Sequence, residues 1–111
     1  MGELNNLLKY SLKLNVLKVH SQNTYEHEKT KFDIAFLLRK NKLDFASEVE
    51  FKSGGRADIV DFSNMVVYEV LQSESIYDFE SKKSFYPSCL TILPVKAGVD
   101  LVSLKKFLGV D

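Results

Sequence analysis

The chain has one cysteine, two prolines, no net charge and no long apolar run, and most of these shortages remove a class of protein. Cys89 alone cannot close an internal disulfide, so no disulfide framework holds this chain and a reducing cytoplasm is its simplest home. Fifteen basic side chains balance fifteen acidic ones, so the total charge gives no argument for a polyanionic partner. No apolar stretch approaches the roughly 20 residues of a membrane helix, and the N-terminus lacks the charged, apolar and small-residue succession of a signal peptide. The expectation is a cytoplasmic protein with no membrane partner. The sequence has no repeat, linker or low-complexity segment. Nothing in it makes a nucleophilic triad, a P-loop or a zinc knuckle.

What the chain does have is 111 residues, 45% of them hydrophobic, enough for one core and too few for two independent domains. Its charge is also segregated. Residues 1–43 hold eight Lys/Arg against four Asp/Glu, residues 44–80 two against nine, and residues 81–111 five against two. An acidic middle therefore lies between basic flanks.

Hydrophobic periodicity orders the elements. "ELNNLLKYSL" suits a short helix while "KLNVLKV" alternates like a strand, and the N-terminal 22 residues stay open between the two. From Asn23 or Thr24, either of which can cap, Phe32, Ala35, Phe36, Leu38 and Arg39 recur at helical spacing and predict a helix over about 24–41. "DFASEVEFK" alternates, with Phe45, Val49 and Phe51 set against Glu48, Glu50 and Lys52. Gly54 and Gly55 turn the chain into "RADIVDF", and "SN" turns it again into the almost wholly apolar "MVVYEVL", the pattern of a central strand. Ser73 or Ser75 then starts a second helix carrying Ile76, Phe79 and Lys83, which ends before Pro87. "CLTILPV" reads as a short strand stopped at Pro94, and Leu101, Leu104 and Leu108 close the chain in helical register. The predicted fold class is a single α/β domain: helix, three strands, helix, strand, helix, with a mixed four-stranded sheet flanked by helices.

Two carboxylates stand out on this scaffold. Asp58 opens the second strand and Glu69 lies near the end of the third, inside an apolar run. Carboxylates on adjacent strands suit a hard divalent cation, which takes oxygen ligands and keeps room for water and phosphate. The bland alternative pairs Asp58 with Arg56 and leaves Glu69 solvated. Against it, burying Glu69 unpaired costs several kcal/mol. His27 and His20 have no recognised metal-ligand spacing and read as surface residues. Phe85 and Tyr86 read as core aromatics at a helix end.

The succession "YEHEKTKFDIAFLLRK", "FASEVEF", "GRADIVDF", "VVYEVLQSES" and "KKSFYP", with Asp58 and Glu69 spaced as D-x10-E, resembles the PD-(D/E)XK nuclease superfamily. The likeness is to the small restriction-endonuclease-like and Holliday-junction-resolvase-like proteins of archaea and their viruses, and covers roughly residues 24–96. It implies a metal-dependent DNA endonuclease in which Asp58, Glu69 and a helix acid hold Mg2+ or Mn2+ at the scissile phosphate. Glu28 is the first choice for that acid and Glu26 the alternative. It also implies DNA as partner and a two-fold homodimer. Leu71 departs from the pattern, since the family has a lysine two residues after the glutamate. Lys52, Lys82 or Lys83 is then the candidate for a relocated lysine, and Gln72 resembles the glutamine that some subfamilies carry, although alternation turns it to the other face. The rival readings are a catalytically silent relative that binds nucleic acid or a partner protein, and an unrelated α/β structural protein with solvated acids.

Overall fold

Thr24 closes an extended stretch with its hydroxyl accepting a hydrogen bond from the His27 N–H, and that cap starts the long helix of the molecule. The computed structural model describes residues 2–111. In chain order the elements are α1 (Gly2–Asn5), α2 (Tyr25–Lys40), β1 (Phe45–Glu50), β2 (Arg56–Asp61), β3 (Val66–Leu71), α3 (Ile76–Lys82) with a 3-10 turn over Lys83–Phe85, β4 (Thr91–Lys96) and α4 (Leu101–Leu108). The sheet has the order β1-β2-β3-β4, antiparallel through β3 and parallel between β3 and β4. The expected α/β architecture and its mixed four-stranded sheet are present. A radius of gyration of 13.1 Å matches the ~13 Å of one compact unit of this length.

Each face of the sheet buries its own cluster. Ile34, Leu37 and Leu38 of α2 and Leu104 of α4 pack against Phe45, Ile59, Tyr68 and Val70. On the opposite face Leu4 and Leu8, Phe79 of α3, Tyr86 and Leu90 cover Ala46, Val60 and Val67. β3 is sandwiched between the two, as its apolar run predicts.

Four local features differ from the sequence-based expectation. The buried stripe of α2 is His27, Thr30, Lys31, Ile34, Ala35, Leu37 and Leu38, whereas Phe32 and Phe36 stack on each other in solvent. Strand alternation in β1 fails at Glu48, whose φ of 49° is left-handed. Consequently Phe45 joins one core cluster while Val49 and Phe51 join the other. β4 runs through Pro94, opposite Glu69, because β4 is an edge strand and can spare an N–H. The N-terminal segment after α1 neither continues as the short helix expected over residues 3–12 nor forms the strand: it crosses the outer edge of β1 with scattered bonds, including Lys9 N to Glu50 O at 2.9 Å and Asn15 N to Phe45 O at 2.7 Å.

α4 contributes one fully buried side chain, Leu104, to the α2-side cluster. Leu104→Ala should therefore lower unfolding free energy by about 2–5 kcal/mol in urea denaturation. A loss below about 1 kcal/mol would mean that α4 is not anchored as described.

Candidate functional site: an acid pair backed by a buried histidine

The antiparallel register sets the central contact. Ile59 faces Tyr68, so one step further along Asp58 comes opposite Glu69. The regular ladder ends there, and the Val70 N–H donates to Asp58 Oδ2 at 2.8 Å. Two carboxylates from neighbouring strands thus meet at the wall of one cleft. Its volume is about 330 Å3, and its other walls include His27, Arg56, Lys82 and Tyr86.

Glu69 is 9% exposed. Burial first, and then the nearby charge of Asp58, push its carboxyl up to about 8. The Tyr86 hydroxyl contacts Glu69 Oε1 and also lies 2.9 Å from the Arg56 carbonyl. A phenol has one proton for these two acceptors. A protonated Glu69 resolves that competition by donating to the phenol oxygen itself, while Tyr86 donates to Arg56 O.

Tyr86 is brought there by the double glycine of the β1–β2 turn. Gly54 has a φ of 107°, and a Cβ on Gly55 would stand 2.7 Å from the Phe85 carbonyl and 3.1 Å from the Tyr86 ring. Only glycine lets the two turns approach this closely.

Behind Asp58 stands His27, 8% exposed, with Nε2 3.5 Å from Asp58 Oδ2 and Nδ1 2.7 Å from Glu28 Oε2. The Asp58 carboxylate and then that of Glu28, working against burial, hold the imidazole protonated up to about 9. Glu28 is turned away from the acid pair. Its oxygens take the His20 N–H at 2.5 Å, the Asn23 amide at 3.3 Å and the Lys31 ammonium at 3.0 Å. Burial pushes Glu28 up, but His20 N–H, His27 and Lys31 outweigh it and hold the carboxyl at about 2.

The remaining candidates scatter. Glu26 is exposed, with its carboxylate against Gly98. Gln72 accepts from the Thr24 hydroxyl at 2.5 Å and so braces the start of α2. Lys52 lines a groove beside the N-terminal segment, away from the cleft. Lys83 pairs with Glu80 and covers the Phe79 ring. Lys82 does reach the cleft, paired with Glu74 on its rim. Leu71 is half-buried against the apolar cluster around Phe79.

Asp58, Glu69 and Lys82 of the sequence candidates therefore share the cleft, and Glu28 supports it from behind. His27, read from sequence as a surface residue, is buried and central. Its signal was present in the helical spacing, since positions 27, 30, 31, 34, 35 and 38 follow one face. Tyr86 is buried, as expected of a core aromatic, yet its hydroxyl belongs to the site; Phe85 is half-exposed.

Among the described residues no group of three or more His, Cys, Asp or Glu is arranged to hold one metal ion. The acid pair does suit an ion that needs fewer protein ligands. Mg2+ is commonly held by one or two carboxylates together with water and phosphate oxygens. Glu28 does not fit as a third ligand, because its oxygens are engaged elsewhere. Comparison with family models, curated proteins and solved structures finds no match for this chain.

The pKa shifts predict a pH dependence. A carboxyl raised to about 8 contributes stability that is complete below its unfolded value of 4.5 and is lost as pH rises through 8. Protonated His27, raised from 6.5 to about 9, loses its contribution in the same direction between those values. In EDTA, stability should fall from pH 5 to pH 8.5, and Glu69→Gln should remove roughly 1–4 kcal/mol of that fall. Parallel stability curves for wild type and Glu69→Gln would contradict the placement of Glu69.

Proposed function

We propose that the Asp58–Glu69 cleft is a divalent-cation site for hydrolysis of DNA phosphodiester bonds. The observation that carries this reading is the meeting of two carboxylates from adjacent strands in one cleft whose walls also carry His27, Arg56 and a Lys82 paired with Glu74. Asp58 and Glu69 are the residues that would hold Mg2+ or Mn2+, which when bound supplies charge neutralisation and an acidified water. Arg56 and Lys82 stand on the cleft wall where a phosphate oxygen needs a donor. Tyr86 fixes the rotamer of Glu69, and Glu28 fixes that of His27.

The chain has leucine where the resembling family has its lysine. His27 supports activity in spite of this, because its imidazole brings a buried positive charge against Asp58 from a different element. The ring does not occupy the position of the missing lysine, so cleavage of generic duplex DNA should be weak. A two-fold dimer remains part of the proposal, since cutting both strands needs two sites.

Mn2+ titration by calorimetry, paired with a nicking assay, tests the reading. Wild type should bind one ion, and Asp58→Asn or Glu69→Gln should each weaken binding at least about tenfold and abolish nicking. His27→Ala should lower nicking on the order of 100-fold with metal affinity changed only a few-fold. Absence of Mn2+ binding by wild type would end the proposal. Binding without nicking would favour a silent, metal-holding relative.

A further inference from the structure

The segment from Leu4 to Tyr25 contains no Asp or Glu but contains Lys9, Lys13 and Lys18. It is laid along the edge of β1 by the backbone bonds Lys9 N to Glu50 O at 2.9 Å and Lys52 N to Leu7 O at 2.8 Å, and by the Lys18 N–H donating to the Ser47 hydroxyl at 2.7 Å. Its lysines, with Lys52 of the next turn, are exposed. No acid among the described residues pairs with Lys9, Lys13, Lys18 or Lys52, whereas Lys29, Lys31, Arg39, Lys82 and Lys83 are each paired.

The concavities on this side share walls. A groove of about 620 Å3 lies between Lys9, Tyr10, Leu14 and Lys52. The next shares Tyr10, Ser11 and Leu12 with it and adds Lys13 and Lys18. A third shares Lys18, Glu48 and Glu50 and extends to His20 and Arg56. Arg56 is in turn a wall of the Asp58–Glu69 cleft. One track therefore leads from Tyr10 to the acid pair. Two acids lie along it, Glu50 and Glu48, the latter with both carboxylate oxygens buried and set against Lys31 and Arg56, beside the four lysines Lys9, Lys13, Lys18 and Lys52.

We infer that this track binds a single strand of DNA and leads it to the acid cleft. Spaced, unpaired lysines along a groove supply phosphate contacts. Tyr10, 63% exposed at the outer end with the Lys9 ammonium over its ring at 5.6 Å from the centroid, offers an exposed aromatic ring to an unstacked base. A duplex keeps its bases stacked and has no use for that ring. The destination of the strand rests on the reading of the cleft as a phosphodiester site, but binding along the track does not.

Fluorescence anisotropy in EDTA with an oligothymidylate of about 12 nucleotides, within the usual ~4–16 nucleotide site range, tests the track without metal chemistry. The combined variant Lys9→Ala, Lys13→Ala, Lys52→Ala should lose at least about tenfold in affinity and flatten the salt dependence by about two units of log–log slope. Tyr10→Ala should lose about five- to 100-fold. Asp58→Asn and Glu69→Gln should bind as tightly as wild type or tighter, because they remove negative charge at the end of the path. Unchanged affinity and salt slope in the triple variant, or tighter binding of duplex than of the single strand, would overturn the inference. Strand binding through the track by a protein that binds no Mn2+ would leave the track standing and remove the cleft reading alone. Mn2+ binding with an indifferent triple variant would do the reverse.

Discussion

The ammonium of Lys31 ties three segments of this molecule together. It is 1% exposed, and it donates to the Lys18 carbonyl at 2.9 Å and to Glu28 at 3.0 Å while standing 3.5 Å from Glu48. An ion removed this far from water costs several kcal/mol unless it is paired and hydrogen-bonded. The partners come from three places: the N-terminal segment, α2 itself and β1. Each is thereby fixed relative to the others. Glu48 accepts a left-handed backbone to reach this charge, and no hydrogen bond compensates its carboxylate, so the attraction to Lys31 and the more distant Arg56 is what offsets its burial.

The same ammonium reaches the acid cleft through a chain of contacts. Lys31 orients Glu28, Glu28 orients His27, and His27 sets a positive charge against Asp58. From the other side, the double glycine turn admits Tyr86, whose hydroxyl meets Glu69. The two carboxylates are thus approached by unlike partners, a cationic ring for Asp58 and a neutral phenol for Glu69. Burial and then the nearby charge of Asp58 raise the Glu69 carboxyl.

Much of this was legible in the sequence where a local rule and the tertiary fold agree. A cap at Asn23 or Thr24, the glycine turn and the apolar run of β3 each placed an element, and strand order put Asp58 and Glu69 on adjacent strands while the register that sets them opposite each other comes from the structure. The misses have physical causes. Phe32 and Phe36 stand at helical spacing yet are half-exposed, while Lys31, which is charged, is buried; hydrophobic pattern ranks these the wrong way round when an ion pair takes the core position. Alternation in β1 cannot announce a left-handed Glu48. Pro94 stops a central strand but not an edge one, and edge position is a property of the sheet. The N-terminal segment has no periodicity to read because its bonds go to scattered points along β1 and to the Lys31 ammonium.

The central claim is that Asp58 and Glu69 are a repelling pair awaiting a divalent cation. Carbon-13 NMR of the Glu69 side-chain carboxyl, followed through a pH titration with and without Mg2+, measures this directly. The account predicts a midpoint near 8 in the metal-free protein, and a fall to the ordinary carboxylate range or below once Mg2+ is added. A Glu69 carboxyl that titrates at its ordinary value of 4.5 and does not respond to Mg2+ would contradict it.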